Sequence, residues 1–80
     1  QFAFDVFPNP SQDQTTIRFN EMVQLEEVRV LDMTGKLVFS LPNPTAAPEF
    51  KLDISDFQSG AYILEINVDG QIETVQLIKY

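Results

Sequence analysis

Twelve carboxylates, two Asn-Pro-Ser/Thr triplets and one Thr-Gly-Lys tripeptide are the residues of this 80-residue chain whose types invite chemistry. Acid/base hydrolysis needs two carboxyls converging across a cleft, and a domain this small offers little cleft. Most of the Asp and Glu residues fall at turns or alternate with apolar positions, where water is the default partner. Asp53 and Asp56 flank Ser55 and present a calcium reading, yet nothing nearby has the alternate oxygen ligands and central Gly of an EF-hand loop. Asp56 suits a helix start through the macrodipole alone. Asn9-Pro10-Ser11 and Asn43-Pro44-Thr45 carry Pro where a glycosylation acceptor forbids it. Thr34-Gly35-Lys36 lacks the upstream Gly and following helix of a phosphate loop. The chain holds neither His nor Cys, which removes Ser-His-Asp and Cys-His catalysis, His-based zinc sites and disulfides. The expectation is a domain without enzyme activity, cofactor or metal.

Charge narrows the partners. Twelve acidic residues against five basic ones give a net charge of −7. Phosphate neutralisation requires a basic face, which five scattered cations do not supply, so nucleic acid is not expected as a partner. Anionic membrane surfaces are disfavoured for the same reason, and no apolar run approaches the ~20 residues that span a bilayer. No basic stretch followed by an apolar one opens the chain, so an export signal is expected on a part of the protein outside these residues. Hydrophobic residues make up 44% of the chain, too many for a disordered tail. Eighty residues make one domain, 1–80, with a thin core that buries roughly 60–65% of the unfolded surface.

The elements that position these residues are strands. Phe4 to Phe7 is a strand stopped by Pro8-Asn9-Pro10, since each Pro lacks an N–H and forces its predecessor into an extended shape. From Thr15 to Asn20, Thr15, Ile17 and Phe19 alternate with Thr16, Arg18 and Asn20, the period of a half-buried strand. Val28 and Val30 share a face within Glu27 to Leu31. Asp32-Met33-Thr34-Gly35 reads as a type I turn closed by a left-handed Gly, with Lys36 to Leu41 returning. Residues 42–48 hold three of the five prolines and read as a loop. Glu49 to Asp53 alternates with Phe50 and Leu52 inward. Ser55-Asp56-Phe57-Gln58 fits a capping box and predicts a single helical turn, with Gly60 as its left-handed terminator. Tyr62, Leu64, Ile66 and Val68 share a face, Asp69-Gly70 turns the chain, and Gln71 to Lys79 closes it.

About seven short antiparallel strands at this spacing predict an all-β, immunoglobulin-like β-sandwich. Leu52, Ile54, Phe57, Gly60 and Tyr62 carry the pattern of a tyrosine corner, whose hydroxyl bonds backbone a few residues upstream. Phe2, Phe4, Phe7, Phe19, Phe39, Phe50 and Phe57 admit a sugar-stacking reading, but without Trp, and with most at core-facing or strand-end positions, core packing is expected.

Phe7-Pro8-Asn9-Pro10, the run from Val28 through Asp32, Gly35 and Lys36 to Val38, Leu52-Asp53-Ile54-Ser55 with Phe57, Gly60 and Tyr62, and Gly70 before a final strand ending at Lys79 follow one another over residues 4–79. In that order they resemble the C-terminal sorting domain of cargo proteins exported by the type IX secretion system of Bacteroidota. One position departs from the resemblance: Gln76 stands where many members carry Lys, near a more basic end.

The resemblance implies a sorting signal. It implies cargo that reaches the periplasm by a separate signal, passes the outer membrane through the translocon and its shuttle proteins, and ends secreted or on the cell surface. It further implies a sortase-like peptidase that cuts at or before the first strand, near or upstream of Gln1, and joins the cargo to an anionic lipopolysaccharide, or else release into the medium. The recognition positions it carries over are Pro8, Asn9, Pro10, Asp32, Gly35, Lys36, Gly60, Tyr62, Gly70 and Lys79. Left-handed backbone accounts for Gly35, Gly60 and Gly70, and a corner hydrogen bond for Tyr62. Lys36 and Lys79 are the favoured contacts, as exposed charges expected to have no packing duty. An edge strand could pair with a partner or weakly with a second copy. The alternative function is a non-catalytic adhesive, carbohydrate-binding or spacer module; a calcium-stabilised extracellular module is a third reading.

Overall fold

The structure, a computed structural model, describes residues 4–20, 24–42 and 48–80. Phe2 and residues 43–47 of the proline-rich loop lie outside the described residues. Seven strands form: β1 (Phe4–Phe7), β2 (Gln14–Phe19), β3 (Leu25–Asp32), β4 (Leu37–Pro42), β5 (Glu49–Asp53), β6 (Gly60–Val68) and β7 (Gln71–Lys79). One sheet has the order β1-β2-β5 and the other β4-β3-β6-β7, with every strand pair antiparallel. This is the expected immunoglobulin-like arrangement, with β4 beside β3 where variable-type domains add a strand to the sheet that carries β6 and β7.

Period-2 alternation supplies the core. Thr15, Ile17 and Phe19 of β2, Leu52 of β5, Val28 and Val30 of β3, and Tyr62, Leu64, Ile66 and Val68 of β6 are all buried. Register brings them together, Val28 opposite Ile66, Val30 opposite Leu64 and Tyr62 opposite Leu77. Each fully buried aliphatic side chain contributes about 1.5–3 kcal/mol through removal from water. Phe4, Phe39, Phe50 and Phe57 pack against this core, as expected for the aromatics. Phe7 does not: it is 38% exposed, and the Arg18 guanidinium lies 4.7 Å from its ring centroid. Arg18 also pairs with Glu49 at 2.9 Å across the β2–β5 register.

Strand β3 begins two residues earlier than the alternation indicates. Leu25 is buried out of phase with Val28, because the register shifts between Leu25 and Glu27; an inserted residue flips the facing of everything before it.

The helical turn expected at Ser55 to Gln58 does not form, and the capping box is corrected. Ser55 spends its own N–H and hydroxyl on the Asp53 carboxylate, at 2.9 and 2.7 Å, a local bond that competes with helix capping. Ile54 is fully buried and its N–H donates to Asp13 O at 2.8 Å. Phe57 N–H then closes one turn onto Ile54 O at 3.0 Å. Asp56 therefore faces no helix dipole, and Gly60 terminates no helix. Gly60 opens β6 at φ +148°, a positive-φ region open essentially to Gly alone.

Candidate recognition site

The β3–β4 hairpin is organised by one carboxylate. Asp32 Oδ1 accepts from Thr34 N–H at 2.9 Å, Thr34 Oγ1–H at 2.6 Å and Lys36 N–H at 3.0 Å. The Thr34 hydroxyl bond, followed by the backbone bond from Lys36, holds the Asp32 carboxyl below its ordinary pKa. Gly35 N–H returns to Asp32 O at 3.0 Å, and Gly35 takes φ +89°, which completes the predicted left-handed closure. Lys36 is left with an exposed side chain.

Across the sheet, the β5–β6 connection repeats the device. Asp53 sits below its ordinary pKa chiefly through the Ser55 hydroxyl, then Ser55 N–H, with the Lys79 cation adding to it. The tyrosine corner is present: Tyr62 Oη–H donates to Gln58 O at 2.6 Å. Its ring lies 5.2 Å from that of Phe57. No group of three or more His, Cys, Asp or Glu side chains able to hold a metal ion occurs among the described residues.

Pro8-Asn9-Pro10 does more than end β1. Asn9 Nδ2–H donates to Gln76 O at 2.8 Å, and Ile78 N–H donates to Asn9 Oδ1 at 3.0 Å. The side-chain amide thus pairs with β7 as a neighbouring strand would. Ser11 continues the pairing, with Ser11 N–H to Ile78 O and Tyr80 N–H to Ser11 O, both at 3.0 Å. Thr15, fully buried, holds the segment from beneath through Oγ1–H to Pro8 O at 3.0 Å. The Lys79 ammonium donates to Gln12 O. Lys79 therefore has a structural duty, contrary to the expectation for that side chain.

Register brings these pieces to one end of the sandwich. Asp32 lies opposite Tyr62, Tyr62 opposite Leu77, and Gly60 opposite Lys79, with the Asn9–Ser11 segment against the end of β7. Nine of the ten carried-over positions sit there. Gly70 is the exception: with Asp69 at φ 52° and itself at φ 80° it turns the β6–β7 hairpin at the other end, and its N–H donates to a Glu26 carboxylate oxygen at 2.7 Å. A groove of about 580 Å³ opens between the β3–β4 hairpin and the β5–β6 connection, lined by Asp32, Lys36, Val38, Phe57, Gly60 and Tyr62 among others. Thr15 and Ser11, which anchor the Pro-Asn-Pro segment, were not among the sequence candidates. Thr15 showed its burial by sharing phase with Ile17 and Phe19, whereas nothing local marks Ser11.

The sequence model of the secretion system C-terminal sorting domain family matches residues 5–80. This chain belongs to that family. No curated protein sequence matches it significantly. The domain is a type IX secretion sorting signal, the tail of a protein exported for secretion or to the cell surface, and it works with the type IX secretion machinery.

Proposed function

We propose that this sorting domain is read by the type IX translocon and its outer-membrane shuttle proteins through the end where Pro8, Asn9, Pro10, Asp32, Gly35, Lys36, Gly60, Tyr62 and Lys79 gather. The observation that carries the reading is that convergence: residues 71 positions apart in sequence, Pro8 and Lys79, belong to one surface. The first residue of β1, Phe4, lies at the opposite end, paired with Phe19, the last residue of β2. A cargo domain there leaves the motif end open to the machinery. The domain acts as a recognition element and not as a catalyst. Cargo crosses the periplasm, passes the outer membrane, and is then freed of the domain by a sortase-like peptidase, with attachment to an anionic lipopolysaccharide or release.

Within the surface, roles divide. Asn9, Asp32, Tyr62 and Lys79 use their polar atoms on the fold itself, so their contribution to recognition is to hold its shape. Lys36 keeps an ammonium available and is the direct contact. The Gln76 backbone carbonyl accepts from Asn9 Nδ2–H, a bond that a backbone carbonyl of any residue at that position can accept, so the absence of Lys there leaves the architecture intact. The test is a periplasmic reporter fused ahead of residues 1–80, expressed with and without the translocon. Translocon-dependent export supports the reading. A folded fusion held in the periplasm of both strains sinks it and favours an adhesive or spacer module.

A further inference from the structure

Four strands lie at sheet edges, β1 and β5 in one sheet and β4 and β7 in the other. Exposed edges are templates for pairing, and proteins that must avoid it blunt them with charge, Pro or cover. β7 is covered from Gln76 to Tyr80 by Asn9 and Ser11. β5 carries Glu49, Lys51 and Asp53, and β1 carries Asp5. β4 alone, Leu37-Val38-Phe39-Ser40-Leu41-Pro42, has no charged residue. Its Leu37 and Val38 are 47% and 40% exposed. Its first five residues leave a track of roughly 17 Å before Pro42.

This edge runs into the groove beside it. Val38 lines both, and the groove floor adds Phe57 and Tyr62, with Asp32, Lys36 and Asp56 around it. Asp32 is committed to its turn, whereas the Asp56 carboxylate makes no hydrogen bond or ion pair among the described residues. The chain as a whole carries −7. A second copy on the edge would bring two such charges together, while a basic partner is drawn to them.

Building on the sorting reading, we propose that the β4 edge and the adjoining groove dock an extended segment of the export machinery. That segment adds as a strand to β4 and places a Lys or Arg against Asp56. Backbone pairing gives affinity, and the groove with its carboxylate gives selection, the division usual in strand addition.

The test uses the reporter fusion with a photo-crosslinking amino acid at Val38, and at Thr74 as a control on β7. It is combined with two variants, Leu37→Lys on the edge and Asp56→Lys in the groove, each checked for an unchanged melt. The expected result is a crosslink from position 38, not 74, to an outer-membrane component of the translocon. Either variant should lower export by about tenfold, as a loss of ~1.4 kcal/mol in docking gives. Export at the wild-type level by both folded variants, without a crosslink from position 38, overturns the docking proposal while leaving sorting intact. A crosslink from 38 to a second copy of the fusion overturns it in favour of a dimer edge. An unmutated fusion that is not exported overturns both this proposal and the sorting reading.

Discussion

Replacing Asn9 tests whether the Pro-Asn-Pro segment closes the sandwich or merely turns the chain. Asn9→Ala removes two hydrogen bonds, to Gln76 O at 2.8 Å and from Ile78 N–H at 3.0 Å. A protein hydrogen bond nets about 0.5–1.5 kcal/mol. Both bonds are exposed, so water can replace them and the low end applies, about 0.5–0.75 kcal/mol each, for a total of about 1–1.5 kcal/mol. In a domain of this size that corresponds to a drop in melting temperature of about 5–10 °C. Asn9→Asp is the sharper variant. It keeps an acceptor for Ile78 N–H but sets a second acceptor against Gln76 O, so it should destabilise at least as much as Ala despite its near-identical shape. Denaturant melts measure the total, and hydrogen exchange at the Ile78 amide localises it. If both variants melt within about 0.3 kcal/mol of wild type, below the size of a typical cap or hydrogen bond, and Ile78 keeps its protection, the edge-covering role of Asn9 is wrong.

Four further outcomes are expected. Tyr62→Phe, which loses only the 2.6 Å bond to Gln58 O, should cost about 1 kcal/mol in a denaturant melt; no change would remove the corner from the account. Leu64→Ala empties a fully buried position opposite Val30 and should cost about 2–5 kcal/mol. A denaturant melt should show that loss as a large share of the roughly 4–12 kcal/mol an 80-residue domain has in all. Gly60→Ala meets no atom within 4 Å, yet its φ of +148° should still cost about 1–3 kcal/mol, so a neutral melt would contradict the strain argument. Asp32 and Asp53 have folded pKa values lowered from the ordinary 3.8; their ionised forms therefore stabilise the fold above pH 3.8, and that stability is lost as pH falls through the lower folded values. Stability measured from pH 5 to pH 2 should decline more steeply in wild type than in an Asp32→Asn/Asp53→Asn double variant.

The fold was legible where the deciding interactions are local. Period-2 alternation placed Ile17 and Phe19, Val28 and Val30, and the Tyr62 to Val68 face, because a strand with one buried face must repeat every second residue. Asp32 with Gly35, and Asp69 with Gly70, announced their turns through residues that accept the required backbone. Ser55 to Gln58 misled for an instructive reason: a capping box and an Asx turn use the same residue types, and Asp53, two positions upstream, decided between them. Leu25 was hidden by a bulge, which breaks the phase on which alternation depends.

The candidate site was legible as a set of positions and not as a place. Motif order marked Asn9, Asp32, Lys36, Tyr62 and Lys79, but their convergence depends on strand order, and Asn9 bonds residues 67 and 69 positions away. Lys79 shows the limit most clearly. In the sequence it is an exposed charge on a last strand; in the fold it ties that strand to Gln12.

The most direct test of the account compares export of the reporter fused to residues 1–80 in translocon-positive and translocon-null cells, alongside Lys36→Ala at the motif end and Gln71→Ala at the other. Both side chains are exposed, so neither variant should disturb folding. The account predicts translocon-dependent export that falls with Lys36→Ala and is unaffected by Gln71→Ala. Export that ignores the translocon, or that responds equally to the two variants, would contradict it.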